Sequence, residues 1–367
     1  MTTRRMALAV QGRRPAGQSR EGLTAPRAYL FDDLFARRYD ETMLDERPSR
    51  TMDRLLPPWV RLAIEVYRRR NEYDVIVTWS ERLSMALMAL QHFSHDRKPQ
   101  VPMLYWFSRP SVRVPMRLFA GDLHSIVTWS SVQRNWAIKH LGIAPEKIYL
   151  VNHFVDQLFW SPIERDTDMI CSAGREMRDY STLLDALRGT DLKCHIATDH
   201  VRIDRFGFGH RIGAAEFVAK ASPNVTIGRK SLHDLRELYA RSRFVVVPLR
   251  PSDTDNGVTV ILEAMAMGKP VIVSQTEGQV DVIEDGVTGL YVPVGNAAAL
   301  RGAMLSLWND PERAGAMGRA ARAYVEKHHT LEQFCRDVKA AIDASFEGRG
   351  AAVERTPSLT PVSRPLA

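Results

Sequence analysis

Cysteine is nearly missing from the chain: Cys171, Cys194 and Cys335 are scattered over 367 residues. So odd and widely spaced a set excludes a disulfide framework, and by itself it excludes a four-ligand zinc cage. It fits a reducing compartment. Long apolar runs are missing too. The Met6–Val10 run near the N-terminus is short and flanked by arginines, whereas a membrane span needs about 20 apolar residues and a signal peptide a longer apolar region. The chain therefore reads as cytoplasmic. No 20–50-residue period repeats, which disfavours solenoids and propellers.

Two nucleotide-binding signatures are also lacking. Gly12 and Gly17 have P-loop spacing, but Gln18 stands where the phosphate-binding Lys belongs, and Gly22 and Pro26 interrupt the helix that should follow. The first strand is not followed by Gly-x-Gly-x-x-Gly, so a nicotinamide dehydrogenase has little support. No nucleic-acid-binding module or aromatic-interleaved basic run is present.

Composition is that of an ordinary globular protein, with 45% hydrophobic and 25% charged residues. The net charge of +7 is uneven: residues 1–165 hold 25 Lys/Arg against 17 Asp/Glu, and the remainder 25 against 26. Short apolar runs alternate with amphipathic stretches. Predicted strands Ala7–Val10, Asp40–Leu44, Asp74–Trp79, Pro102–Phe107 and Ser125–Trp129 alternate with helices such as Glu81–His92 and Val132–Leu141. The pattern restarts with strand Asp168–Ala173, helix Tyr180–Leu187 and strands Leu192–Ala197 and Asn224–Ile227. Helix Leu232–Ala240, strand Arg243–Pro248, helix Val258–Met267 and strands Pro270–Ser274 and Gly289–Val292 follow. This order implies an α/β protein with two doubly wound parallel-sheet domains. The expected organisation is 1–160, 161–330, a C-terminal helix over 331–347 and a disordered tail over 348–367. The joint falls within Val151–Asp166, and ligands are expected in the cleft between the domains.

The most informative stretch is Pro248–Pro270, PLRPSDTDNGVTVILEAMAMGKP. A strand ends, a polar loop follows, and Asn256-Gly257 open a helix whose first-turn amides and dipole suit a phosphate. Asp255 precedes that helix and Glu263 lies two turns into it.

From Asp255 to Ser274 this stretch resembles the donor-site motif of retaining family 4 glycosyltransferases, which have the GT-B fold. The family shows two carboxylates separated by seven residues, then Ala-Met-Ala and Gly-x-Pro-Val-Ile. Here Asp255 replaces the usual first Glu. The resemblance implies two Rossmann-like domains facing a central cleft and a metal-independent transfer of sugar from a nucleotide diphosphate sugar. It assigns Asp255 to the sugar, the amides of Asn256, Gly257, Val258 and Thr259 to the diphosphate, and Glu263 to the ribose. Gly174 and Arg175 end the first strand of the second domain, and Arg178 stands where relatives usually have Lys. Both arginines are assigned to the leaving diphosphate, whose negative charge grows as the glycosidic bond breaks. Backbone near Gly228–Lys230 is assigned to the base. The resemblance is strong over about residues 145–330 and weak in the first half, which is expected to bind an unidentified acceptor through loops such as Gln11–Thr24.

Other readings remain open. Relatives often have a cleft His where Ser108 stands, and none of His92, His95, His124 or His153 is assigned as a base. Asp253-Thr254-Asp255 could be a metal-binding Asp-x-Asp, but it sits inside the longer match, so no metal ligand or cofactor is assigned. An epimerase or phosphorylase of the same fold, or a catalytically silent sugar-nucleotide-binding protein, would share the donor-side residues. The basic amphipathic segment Pro57–Arg70 suits either a core-packed helix or peripheral contact with an anionic membrane.

Overall fold

In a computed structural model, the structure describes residues 4–10, 26, 39–44, 56–202 and 211–347. The chain divides between Asn152 and His153 into two compact units, with residues 332–347 returning to the first. The divide falls inside the aperiodic stretch yet eight residues before position 160. Packing explains the offset: Val155, Phe159 and Trp160 lie in the second unit's core, where the Trp160 ring meets Tyr239.

The first unit contains strands β1 (Arg4–Val10), β2 (Tyr39–Leu44), β3 (Val75–Trp79) and β4 (Gln100–Pro102), all parallel in the order β2-β1-β3-β4. A second parallel pair, β5 (Ile126–Thr128) and β6 (Ile148–Leu150), continues this sheet through a single bridge between Met103 and Val127. The expected strand Pro102–Phe107 is therefore misplaced: it ends where the expectation begins. Leu104 and Phe107 leave the sheet to pack with Val112 and Met116, so tertiary burial overrides local strand preference. The helices are α1 (Pro58–Arg68), α2 (Glu81–His92), α3 (Pro110–Phe119) and α4 (Ser131–Leu141). Helix α1 packs as an ordinary core helix: Leu62, Ala63 and Val66 join Ala7, Ile76 and Leu83 in the core. Its basic end is occupied, because Arg69 pairs with Glu72 at 2.8 Å and Arg70 donates to the Tyr67 carbonyl at 2.8 Å.

The second unit has strands β7 (Met169–Ala173) and β8 (Cys194–Ala197), a small antiparallel pair β9 (His200–Arg202) and β10 (Arg211–Gly213), and then β11 (Val225–Ile227), β12 (Ser242–Val247), β13 (Val271–Gln275) and β14 (Gly289–Pro293). The main sheet is wholly parallel, β11-β8-β7-β12-β13-β14. Its strands are nearly continuous apolar runs, as expected of a parallel sheet buried on both faces. Helices α5 (Tyr180–Leu187), α6 (Ala214–Val218), α7 (Leu232–Arg241), α8 (Val258–Ala266), α9 (Ala297–Trp308) and α10 (Pro311–His328) complete the unit. Leaving aside the small pair, the order is third, second, first, fourth, fifth, sixth. The chain thus reverses direction between β7 and β12, the switch point beside which open parallel sheets bind their ligands. Helix α11 (Leu331–Glu347) carries Phe334 to the Trp79 ring at 5.8 Å within the first unit. The Gln11–Thr24 loop and the 348–367 tail lie outside the described residues.

Candidate functional site

The loops after β7 and β12 meet at the reversal point. Asp179 N–H donates to the Pro248 carbonyl at 3.0 Å, and Arg250 N–H to the Met177 carbonyl at 2.8 Å. Arg178 lies between them with 3% of its surface exposed. Its guanidinium donates to the Ala173 carbonyl at 2.9 Å and the Glu176 carbonyl at 2.8 Å. Gly174, with φ +103°, makes room for it: a Cβ there would stand 2.3 Å from the guanidinium. Burial pulls the Arg178 guanidinium below its usual pKa. Arg175 is different. Its side chain is 45% exposed and lies 3.6 Å from Asp199.

The β12 loop is held by its own side chains. Asn256 Nδ2 donates to Ser252 Oγ at 2.8 Å and Thr254 Oγ1 at 2.6 Å. Gln279 Nε2 donates to the Asn256 carbonyl at 3.1 Å, and Tyr291 holds the Gln279 carbonyl at 2.9 Å. Asp255 is buried, and its carbonyl accepts Val258 N–H at 3.2 Å. Gly257, with φ +92°, begins α8, and no side chain caps this end. The sequence-predicted amides are thus brought to an uncapped helix N-terminus, with Val258 N–H already engaged. A Cβ on Gly257 would lie 3.5 Å from the Arg178 guanidinium, so the cation adjoins that helix end.

Glu263 sits 9% exposed on α8, where Tyr239 OH donates to Oε2 at 3.0 Å. Burial pushes its carboxyl up to about 8, against the lowering effects of the Tyr239 hydrogen bond and the Arg178 charge. Glu263 and Arg178 therefore share an electrostatic environment although they are 85 residues apart. Tyr239 and Gln279 escape sequence reasoning because a polar residue's distant partner leaves no periodic trace, whereas the Ser252 and Thr254 contacts to Asn256 are local to the loop.

Gly228 follows β11 at the same end of the sheet, and its carbonyl faces His195 Nε2 at 3.1 Å. Ser108 in the first unit is tied to Gln133, whose Oε1 accepts Ser108 N–H at 3.1 Å. His92 lies 2.6 Å from Asp122, and burial holds His153 down to about 4. Among the described residues no group of three or more His, Cys, Asp or Glu is gathered to hold a metal ion. Among them, too, no helix is long and apolar enough to cross a membrane.

Residues 179–310 match the family described as Glycosyl transferases group 1. An uncharacterized glycosyltransferase of Methanocaldococcus jannaschii is 26% identical over 183 residues, 49% of each chain. The D-rhamnosyltransferase WbpZ of Pseudomonas aeruginosa is 34% identical over 159 residues, 41% of this chain and 38% of its own. The matched region thus spans half or less of these curated relatives. Among solved structures, Anabaena HepE in complex with UDP and glucose superposes with a TM-score of 0.69 at 15% identity, covering 93% of this chain and 99% of that one. Sucrose-phosphate synthase of Thermosynechococcus elongatus gives a TM-score of 0.71 at 16% identity, covering 94% and 100%. The fold is GT-B, with two Rossmann-like α/β units. The family match and the curated relatives make part of the chain similar to group 1 glycosyltransferases, and the structural neighbours show the fold.

Proposed function

We propose that this protein is a retaining glycosyltransferase that takes its sugar from a nucleotide diphosphate sugar. The observation that carries the reading is the uncapped N-terminus of α8 beside the Arg178 guanidinium, at the reversal point of a parallel sheet. Unengaged helix-end amides and a nearby cation form a site for an anionic oxygen. The Anabaena HepE complexes with UDP add weight on the donor side.

In this mechanism the bond between the sugar's anomeric carbon and the diphosphate oxygen breaks, leaving its electron pair on the diphosphate. The amides of Asn256, Gly257 and Thr259 and the cations Arg175 and Arg178 stabilise that charge, Val258 N–H being held by the Asp255 carbonyl. The acceptor hydroxyl bonds to the anomeric carbon on the same face and passes its proton to the departing diphosphate. Asp255 orients the sugar, Glu263 meets the ribose hydroxyls, and backbone near Gly228 lies against the base. The acceptor belongs to the first unit. No metal and no further cofactor is required.

Thermal unfolding with UDP, GDP, ADP, CDP and dTDP, each with magnesium or with EDTA, tests the donor site. A nucleotide at 100 times its Kd stabilises by about 2.7 kcal/mol. We expect one diphosphate to stabilise equally with EDTA, and Glu263→Ala to weaken that effect. Stabilisation by none of them would sink the donor-site assignment. An inverted anomeric centre in the product would remove the retaining mechanism alone.

A further inference from the structure

A short stretch of the first unit carries a net charge of +6, against +7 for the whole chain. Residues 82–145 carry eight Lys/Arg against two Asp/Glu, and both acids are engaged: Asp122 with Arg97 and His92, and Asp96 with Lys98. Within this stretch, α3 has the sequence PSVRVPMRLF and contains no acid. Val112 and Met116 turn inward, while Val114 and Leu118, one turn apart, are 54% and 64% exposed. Arg113 and Arg117 alternate with them and are also exposed. Phe93 follows the end of α2 with 80% of its surface exposed, and its ring lies 6.2 Å from Phe119, the residue after Leu118. Arg117 also reaches the carbonyl of His140 at the end of α4, next to exposed Lys139. Apolar side chains and unneutralised cations thus share one surface.

We infer that this surface, Phe93 with Val114 and Leu118 among Arg113, Arg117 and Lys139, docks the protein onto an anionic lipid bilayer. A protein interface core is depleted in charge and buries its anchors in pockets. Here each exposed apolar residue on α3 has an arginine neighbour, the pattern of a helix lying in a headgroup layer, with apolar tips inserted and cations on lipid phosphates. Nucleic acid would use the cations but would leave Val114 and Leu118 in water. Helix α1, the basic amphipathic segment evident in the sequence, cannot serve in this way because its apolar face is in the core.

The test is co-sedimentation of the full chain with vesicles of phosphatidylcholine containing 40 mol% phosphatidylglycerol, and with phosphatidylcholine vesicles alone. Binding is expected only to the anionic vesicles and is expected to fall at least tenfold between 0.1 and 0.5 M salt. The double variant Arg113→Gln with Arg117→Gln should weaken binding about fivefold for each charge lost. Phe93→Ser with Leu118→Ser should weaken it by about tenfold or more. Arg68→Gln on α1 should leave it unchanged. These positions are exposed, so circular dichroism should show unchanged melting for every variant. Equal binding to neutral vesicles, no binding to either, or full retention by both double variants would overturn the inference. So would a concentration-dependent dimer that the Phe93/Leu118 variant abolishes without any vesicle binding, which would make the surface a contact between copies of the chain.

Discussion

Glu263 shows how much a carboxyl's chemistry depends on what surrounds it. In water such a group is ionised at neutral pH; beneath the proposed donor site, burial lifts it to about 8, so at pH 7 it is mostly protonated. A protonated carboxyl can both donate to and accept from a ribose hydroxyl, and a carboxamide of the same shape can do likewise. Glu263→Gln should therefore keep nucleotide diphosphate affinity within about threefold of wild type at pH 7. Glu263→Ala removes the contact and leaves Tyr239 OH buried without its acceptor, so it should cost about tenfold or more. Calorimetric titration of the two variants separates these outcomes; equal losses would mean that the ionised form is the one that binds. Tyr239→Phe removes a hydrogen bond that favours the carboxylate and should raise the Glu263 pKa further, with the hydroxyl's desolvation removed as well.

The proposed donor site rests on one loop–helix element, and a second loop packs against it and fixes its position. Gly278 is the contact point: its N–H donates to the Ser252 carbonyl at 3.0 Å, and a Cβ on it would stand 2.3 Å from the Thr254 backbone. Backbone cannot swing aside as a side-chain tip can, so Gly278→Ala must move the 252–256 loop and shift the amides at the start of α8. We expect nucleotide affinity to fall by an order of magnitude or more, with far-ultraviolet circular dichroism near that of wild type; normal affinity would show that the loop position does not govern the site. This arrangement also explains what could be read in advance. Helix α8 was legible over Val258–Met267 and forms over Val258–Ala266, because its apolar face and its opening glycine are local signals. Strand β4 was not, because whether Leu104 and Phe107 continue a strand or turn into the core is decided by Val112 and Met116 on the next helix. Arg178 entered through the family resemblance, at the position where relatives usually have Lys. That it donates to the carbonyls of Ala173 at the end of β7 and Glu176 in its own loop was invisible, since acceptors on the main chain leave no mark in a sequence.

At the scale of the molecule, buried titratable groups of opposite tendency in the second unit set an optimum of stability against pH. His329, 2% exposed, and His153, whose carbonyl faces His329 Nδ1 at 2.7 Å, are each held down to about 4 by burial. An unfolded His titrates near 6.5, so between about pH 4 and 6.5 the unfolded state binds more protons at these two sites. Their contribution is present above that window and is lost as the pH falls through it. Glu263 acts in the opposite sense: its folded pKa of about 8 exceeds the ordinary carboxyl value of 4.5, so across that interval the folded state holds the extra proton and stability declines as pH rises. Two protons against one make stability rise from about pH 4.5 to 6.5, and one unopposed proton makes it fall from there to about 8, each proton weighing about 1.4 kcal/mol per pH unit. A maximum near pH 6.5 follows. Thermal melts from pH 4.5 to 9 should show it, with Glu263→Gln flattening the alkaline limb and His329→Asn softening the acid limb. Because the Gln variant keeps an acceptor for Tyr239 and removes only the titration, an alkaline fall unchanged in that variant would show that Glu263 is not the group responsible.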